Sequence, residues 1–126
     1  MNDCKNKNKK IRNKDYDKFS RNKDSASFYA SKPWRKVTKS CKSKFNGIDI
    51  YEYYVNKQMV YGSLSHHIIE IVEDKSKSLD ISNLIYLSDS THALVHVEYK
   101  SCEQDKKSMQ ELLMGLIKRW EEEYVK

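Results

Sequence analysis

Apolar positions along the chain fall into short periodic runs separated by polar stretches. Residues 1–24 (MNDCKNKNKKIRNKDYDKFSRNKD) hold isolated Ile11, Tyr16 and Phe19, with no period and little to bury, and predict a disordered basic arm. The pattern then becomes helical. Ser31 precedes Lys32 and Pro33 as an N-cap with proline in the first turn, and Trp34, Val37, Cys41 and Phe45 follow at helical spacing with Lys and Arg on the other faces. Asn46-Gly47 predicts the stop. Residues 48–61 (IDIYEYYVNKQMVY) are aromatic and β-prone and predict short extended pieces or a hairpin. Residues 63–72 (SLSHHIIEIV) predict a strand, residues 73–82 a polar loop, and Leu84–Leu87 a second short strand. Ser88 or Asp89 can cap a helix to about residue 100, with Ala93, Val97 and Leu94 turned inward. A final helix from near residue 105 places Met109, Leu112, Leu113, Leu116, Ile117, Trp120 and Tyr124 on one stripe, which reads as a lid over the apolar face of the domain.

Composition narrows the class. A chain of 126 residues, 38% hydrophobic and 33% charged, makes one domain with a small core, helped by nine tyrosines. One proline and three glycines exclude collagen and a glycine-punctuated barrel. No apolar run approaches the length of a membrane span, and no apolar region follows the basic N-terminus as a secretory signal requires. Cys4, Cys41 and Cys102 are scattered, odd in number and without a CxxC pair. That argues against a disulfide scaffold and a cysteine-built zinc site, and points to a reducing cytoplasm. Residues 1–46 carry 15 Lys and Arg against 4 Asp, a balance of +11; residues 47–126 carry 9 against 14 Asp and Glu, a balance of −5. A basic arm ahead of a mildly acidic body is a signature of polyanion binding, with a solvated tail as the bland alternative.

All four histidines lie between residues 66 and 96. His66 and His67, adjacent on a strand, point to opposite sides. His92 and His96, four apart on a helix, share a face. A strand histidine and two helix histidines can converge on one divalent cation; alone, each pair reads equally as surface or core imidazoles.

The order H66-H67-I-I-E, then N83-L-I-Y-L, then H92-A-L-V-H96 resembles the HNH endonuclease family and its ββα-metal motif. Upstream, F28-Y29-A-S31-K-P-W34-R35 resembles the F-Y-x-S-x-x-W-[RK] segment of phage-borne members, so the resemblance spans residues 28–100. It implies an α+β fold, a ββα-metal (His-Me finger) core flanked by the N-terminal basic helix and the C-terminal amphipathic helix, with the nuclease domain covering residues 25–126. It implies His66 and His92 as metal ligands, and His96 as a third, resembling the HxxxH ending of the colicin-type DNases. His67 would be the general base, and Asn83 would hold the loop and hydrogen bond the His67 ring. Arg35, Lys36, Lys39 and Lys42 would contact DNA. One divalent cation (Mg²⁺, Mn²⁺, Ni²⁺ or Zn²⁺) is implied. Three departures stand out. The CxxC pairs that hold a structural zinc in many relatives are missing, falling near residues 50–54 and at Ser88 and Thr91; Glu70 replaces a proline; and Thr38 replaces a second arginine. No structural zinc is therefore expected, and Ile50, Tyr53 and Tyr54 are expected to pack in its place under the last helix. The resemblance implies a DNA-cleaving enzyme of the bacterial host cytoplasm, in phage genome processing or packaging beside terminase proteins, or of homing type. The alternatives are a non-catalytic DNA-binding accessory on a decayed HNH fold, and a toxin or restriction nuclease domain.

Overall fold

A short helix α1 (Lys23–Ala30) leads to Ser31, whose Oγ accepts from the Trp34 N–H and starts α2 (Lys32–Lys44). In this computed structural model residues 23–125 are described; the arm expected over residues 1–24 lies outside them, except that residues 23 and 24 belong to α1. Helix α2 buries Trp34 and Cys41 and ends at Phe45, after which Asn46 (φ 55°) and Gly47 (φ 71°) reverse the chain in the left-handed region that a glycine enters without strain.

The next segment departs from the expected strands. Residues 48–61 hold a six-residue helix, α3 (Ile50–Val55), and extended pairing survives only as the single bridge of Ile48 with Tyr61. The cause is Asp49, which is fully buried. Its Oδ1 accepts from the Glu52 N–H at 3.0 Å, while its Oδ2 accepts from the Ser88 N–H at 2.9 Å and the Ser88 hydroxyl at 2.7 Å. This cap and long-range tie override the β-propensity of Ile, Tyr and Val.

Strand β1 (Leu64–His67) pairs antiparallel with β2 (Leu84–Leu87), His66 opposite Ile85 and His67 opposite Leu84. The strand expected over residues 63–72 stops at His67, where the chain enters a turn. The loop beyond contains two 3₁₀ turns, capped by the Asp74 and Asp80 carboxylates. Ser88 caps α4 (Asp89–Ser101), whose buried residues are Thr91, Val95, Tyr99 and Ser101. Ala93, Leu94 and Val97, expected inward, are exposed. Helix α5 (Glu103–Tyr124) starts two residues before its expected position and buries Met109, Leu113, Leu116, Ile117 and Trp120. Leu112 and Tyr124 lie at the exposed margin of that stripe.

The result is an α+β fold, a two-stranded sheet and α4 packed between α2 and α5 around one core. Ile50 and Tyr54 are buried in that core with Tyr53 packed against it, and the Tyr53 ring meets Trp120 edge-on at 5.9 Å. Trp120 Nε1 donates to the Lys44 carbonyl at 2.9 Å, and Tyr54 donates to Glu123 at 2.5 Å. Each large side chain so buried contributes roughly 1.5–3 kcal/mol. Ser88 and Thr91, where the resemblance led to the expectation of a cysteine pair, join the Asp49 network, which adds a polar tie to the apolar brace. Cys41 is a free thiol whose burial pushes its pKa up to about 11. Among the described residues no helix is long and apolar enough to cross a membrane.

Candidate metal centre and its neighbouring histidine

Strand alternation sends His66 and His67 to opposite faces of β1. His66 meets α4: its ring centroid is 5.3 Å from that of His92, 5.9 Å from His96 and 5.1 Å from Tyr99. One helical turn brings His96 Nε2 within 2.9 Å of His92 Nε2. A ring nitrogen from each of His66, His92 and His96 lies within 4.8 Å of the others. The buried His66 Nε2 has no hydrogen-bond partner among the described residues, a costly state for a polar atom.

Burial explains the charge state of this trio. It is the largest cause holding His66 well below the ordinary imidazole range, with His92, His96 and His67 adding to it. Burial also lowers His92 against an opposing pull from Asp89, and lowers His96 to about 4 with help from His92 and Lys100. Neutral imidazoles carry free lone pairs at neutral pH. A set of three fits a borderline divalent cation better than Mg²⁺ by softness.

His67 is built differently. Its Nε2 is 2.8 Å from the Ser78 carbonyl. A carbonyl only accepts, so the neutral ring carries its proton on Nε2 and keeps a lone pair on Nδ1. Trp34 stacks on the ring with centroids 5.0 Å apart and planes 21° apart, and Phe28 and Tyr29 stand at 6.2 and 6.3 Å. Burial lowers the His67 pKa, opposed by the Ser78 bond and by Glu70.

Asn83 corrects one expectation. Its side chain does not meet the His67 ring. Oδ1 accepts from the Ile69 N–H at 2.8 Å, and Nδ2 donates to the carbonyls of Ile69 at 2.9 Å and Lys77 at 3.3 Å. The amide thus holds the loop, as expected, while the ring is oriented by the main chain of Ser78. A backbone acceptor has no residue identity, so no sequence pattern announces it. The aromatic wall is partly legible, because Phe28, Tyr29 and Trp34 are the residues that carry the upstream resemblance; Trp34 both anchors α2 and backs His67.

A cavity of about 680 Å³ runs from Tyr29 and Trp34 past His67 and His66 to His92 and His96, with Thr38, Lys100 and Lys106 at its edges. Arg35, Lys36, Lys39 and Lys42 do not line it; they are exposed on α2, the helix that presents Trp34 and Thr38 to the cavity.

No family model matches the chain, and no curated protein does. A crystal structure of the HNH endonuclease of the deep-sea thermophilic bacteriophage GVE2, with manganese ion, is similar to it at 30% sequence identity and a TM-score of 0.58. The similarity covers 69% of this chain and 94% of that one.

Proposed function

The chain belongs to the HNH endonuclease family, and on that premise we propose that it hydrolyses phosphodiester bonds of DNA with one divalent cation. The observation that carries this reading is the convergence of His66, His92 and His96 on one face of β1 while His67 is held separately on the other. His66, His92 and His96 would hold the ion. A bound divalent cation supplies neutralisation of the negative charge that grows on the scissile phosphate and the leaving 3′-oxygen.

The other work belongs to the chain. His67 Nδ1 takes the proton of the attacking water, a task suited to a neutral imidazole. The Ser78 carbonyl and the Trp34 face fix the ring, so little orientational freedom is lost as the reaction proceeds. Asn83 ties Ile69 to the loop and keeps the end of the catalytic strand in place. Arg35, Lys36, Lys39 and Lys42 contact backbone phosphates, which gives affinity with little sequence preference. Mn²⁺ is one of the candidate ions with Mg²⁺, Ni²⁺ and Zn²⁺, and its presence in the GVE2 enzyme supports it. Phage genome processing or packaging fits the phage relative.

The test is incubation of purified protein with supercoiled plasmid, with and without each ion. Ion-dependent conversion to nicked or linear DNA is expected, with none in EDTA. Plasmid that stays supercoiled with every ion, while the protein still binds it, would point instead to an accessory protein on a decayed fold.

A further inference from the structure

The turn that leaves the catalytic strand is held by a charge cluster from α5, outside the ββα unit. Lys106 is only 5% exposed. Its Nζ lies 2.7 Å from Glu70 Oε1 and 3.1 Å from Glu73 Oε1, and 5.7 Å from the centre of the Tyr99 ring. The neighbouring polar groups grip the same turn. Tyr99 donates to the Ile68 carbonyl at 2.7 Å, and Gln110 Nε2 donates to that carbonyl at 2.9 Å and to Glu73 at 3.1 Å. The Glu73 carboxylate also accepts from the Glu70 N–H at 2.9 Å. Residues 68–73 are thus pinned by Tyr99 of α4 and by Lys106 and Gln110 of α5 on one side and, through Ile69, by Asn83 on the other.

Stability does not explain this choice of residues. Desolvating an ammonium and a carboxylate offsets most of their attraction, and apolar groups of similar volume commonly do as well. What an ion pair adds is a fixed geometry. His67 is the last residue of β1, directly before the pinned turn, and Glu70 and Lys106 line the cavity that holds its ring. We propose that Lys106 and Glu70 are a positioning pair that sets the His67 ring for proton transfer. This role rests on the reading of His67 as the base.

The test uses the full chain with Mn²⁺ and supercoiled plasmid, comparing wild type with Glu70→Gln, Lys106→Met and the double variant. Glu70→Gln keeps the shape and removes the charge. It should lower kcat at least about tenfold, the order expected when a catalytic group is misplaced. KM for DNA and calorimetric Mn²⁺ affinity should stay within about twofold, because only the transition-state step is affected. The double variant should be no slower than the slower single one, since the two residues act as a unit. The His67 ring NMR signals should be single in wild type and should broaden or double in Glu70→Gln while those of His92 do not. A merely structural pair would lower the melting temperature and leave kcat, measured well below melting, and the His67 signals unchanged; that result overturns the proposal, as do losses that multiply. If Lys106→Met fails to fold, kcat and the ring signals of Glu70→Gln decide alone. If wild type cuts no DNA, the nuclease reading fails, and the His67 signals still decide whether the pair positions that ring.

Discussion

β1 and α4 present His67 and His92 to different surroundings, so the roles proposed for them can be tested separately. His67→Ala should lower cleavage by about 10²–10⁴, the usual cost of losing a positioned general base, with Mn²⁺ affinity unchanged by titration calorimetry. Cleavage at the wild-type rate would remove His67 from the chemistry. His92→Ala should do the reverse and weaken Mn²⁺ or Ni²⁺ binding by at least about tenfold, since loss of even an outer partner of a metal ligand costs that much. An unchanged titration would place the ion elsewhere. These residues were legible in the sequence because two periodicities fix their directions: adjacency on a strand sends His66 and His67 apart, and a spacing of four aligns His92 with His96. The same reading failed at Asn83 for a physical reason. Both amide hydrogens of Asn83 go to main-chain carbonyls, of Ile69 and Lys77, and its Oδ1 accepts from the Ile69 N–H, so no amide hydrogen is left for the lone pair of the His67 ring.

At the level of elements, the errors share a cause in interactions between residues distant along the chain. The run of Ile, Tyr and Val after Asp49 has the composition of a strand, and nothing local says that its aspartate will be drawn into the core by Ser88, 39 residues later. Helix α4 offered two apolar stripes. Ala93, Leu94 and Val97 look the more hydrophobic, yet at about 100° per residue Ala93 and Val95 lie equally far on either side of the His92–His96 direction, as do Val97 and Thr91, so local periodicity does not choose between the stripes; packing buries Thr91, Val95 and Tyr99. The polar tips that disguised the true stripe are satisfied inside: Thr91 meets the Ser88 hydroxyl at 3.2 Å, and Tyr99 donates to Ile68. The start of β1 gives a prediction of its own. A Cβ on Gly62 would sit 2.5 Å from Tyr86 Cδ2 and 2.9 Å from Cε2, and Tyr86 is buried on β2 opposite Ser65. Gly62→Ala should therefore cost about 1–3 kcal/mol, by the overpacking penalty of a filled site. Urea denaturation checks this through a lower midpoint at unchanged slope; an unchanged midpoint would mean that the ring moves aside freely.

For the whole molecule, the apolar brace and the Asp49 tie link α3, α4 and α5, and the expectation is that they suffice without a structural ion. The melting temperature should then change little in excess EDTA beyond the loss of whatever stabilisation the His66, His92 and His96 site receives from its ligand. A large drop in EDTA that persists in His92→Ala would reveal a structural ion elsewhere. Deleting residues 1–22 spares α1 and removes eight Lys and Arg. Every DNA phosphate that the deleted cations no longer neutralise should lower the slope of log affinity against log salt by about 0.9 on duplex DNA, so the truncated protein should bind more weakly and with less salt dependence. Identical slopes would show that the segment does not touch DNA. The placement of the two tryptophans has an optical consequence. Trp34 lies against the His67 ring, whereas Trp120 sits in the brace and bonds the Lys44 carbonyl. With only two tryptophans in the chain, Trp120→Phe leaves an intrinsic fluorophore that reports events at the cavity, and Trp34→Phe leaves one that reports unfolding of the brace, so occupancy and unfolding can be followed by emission in separate channels without any attached dye.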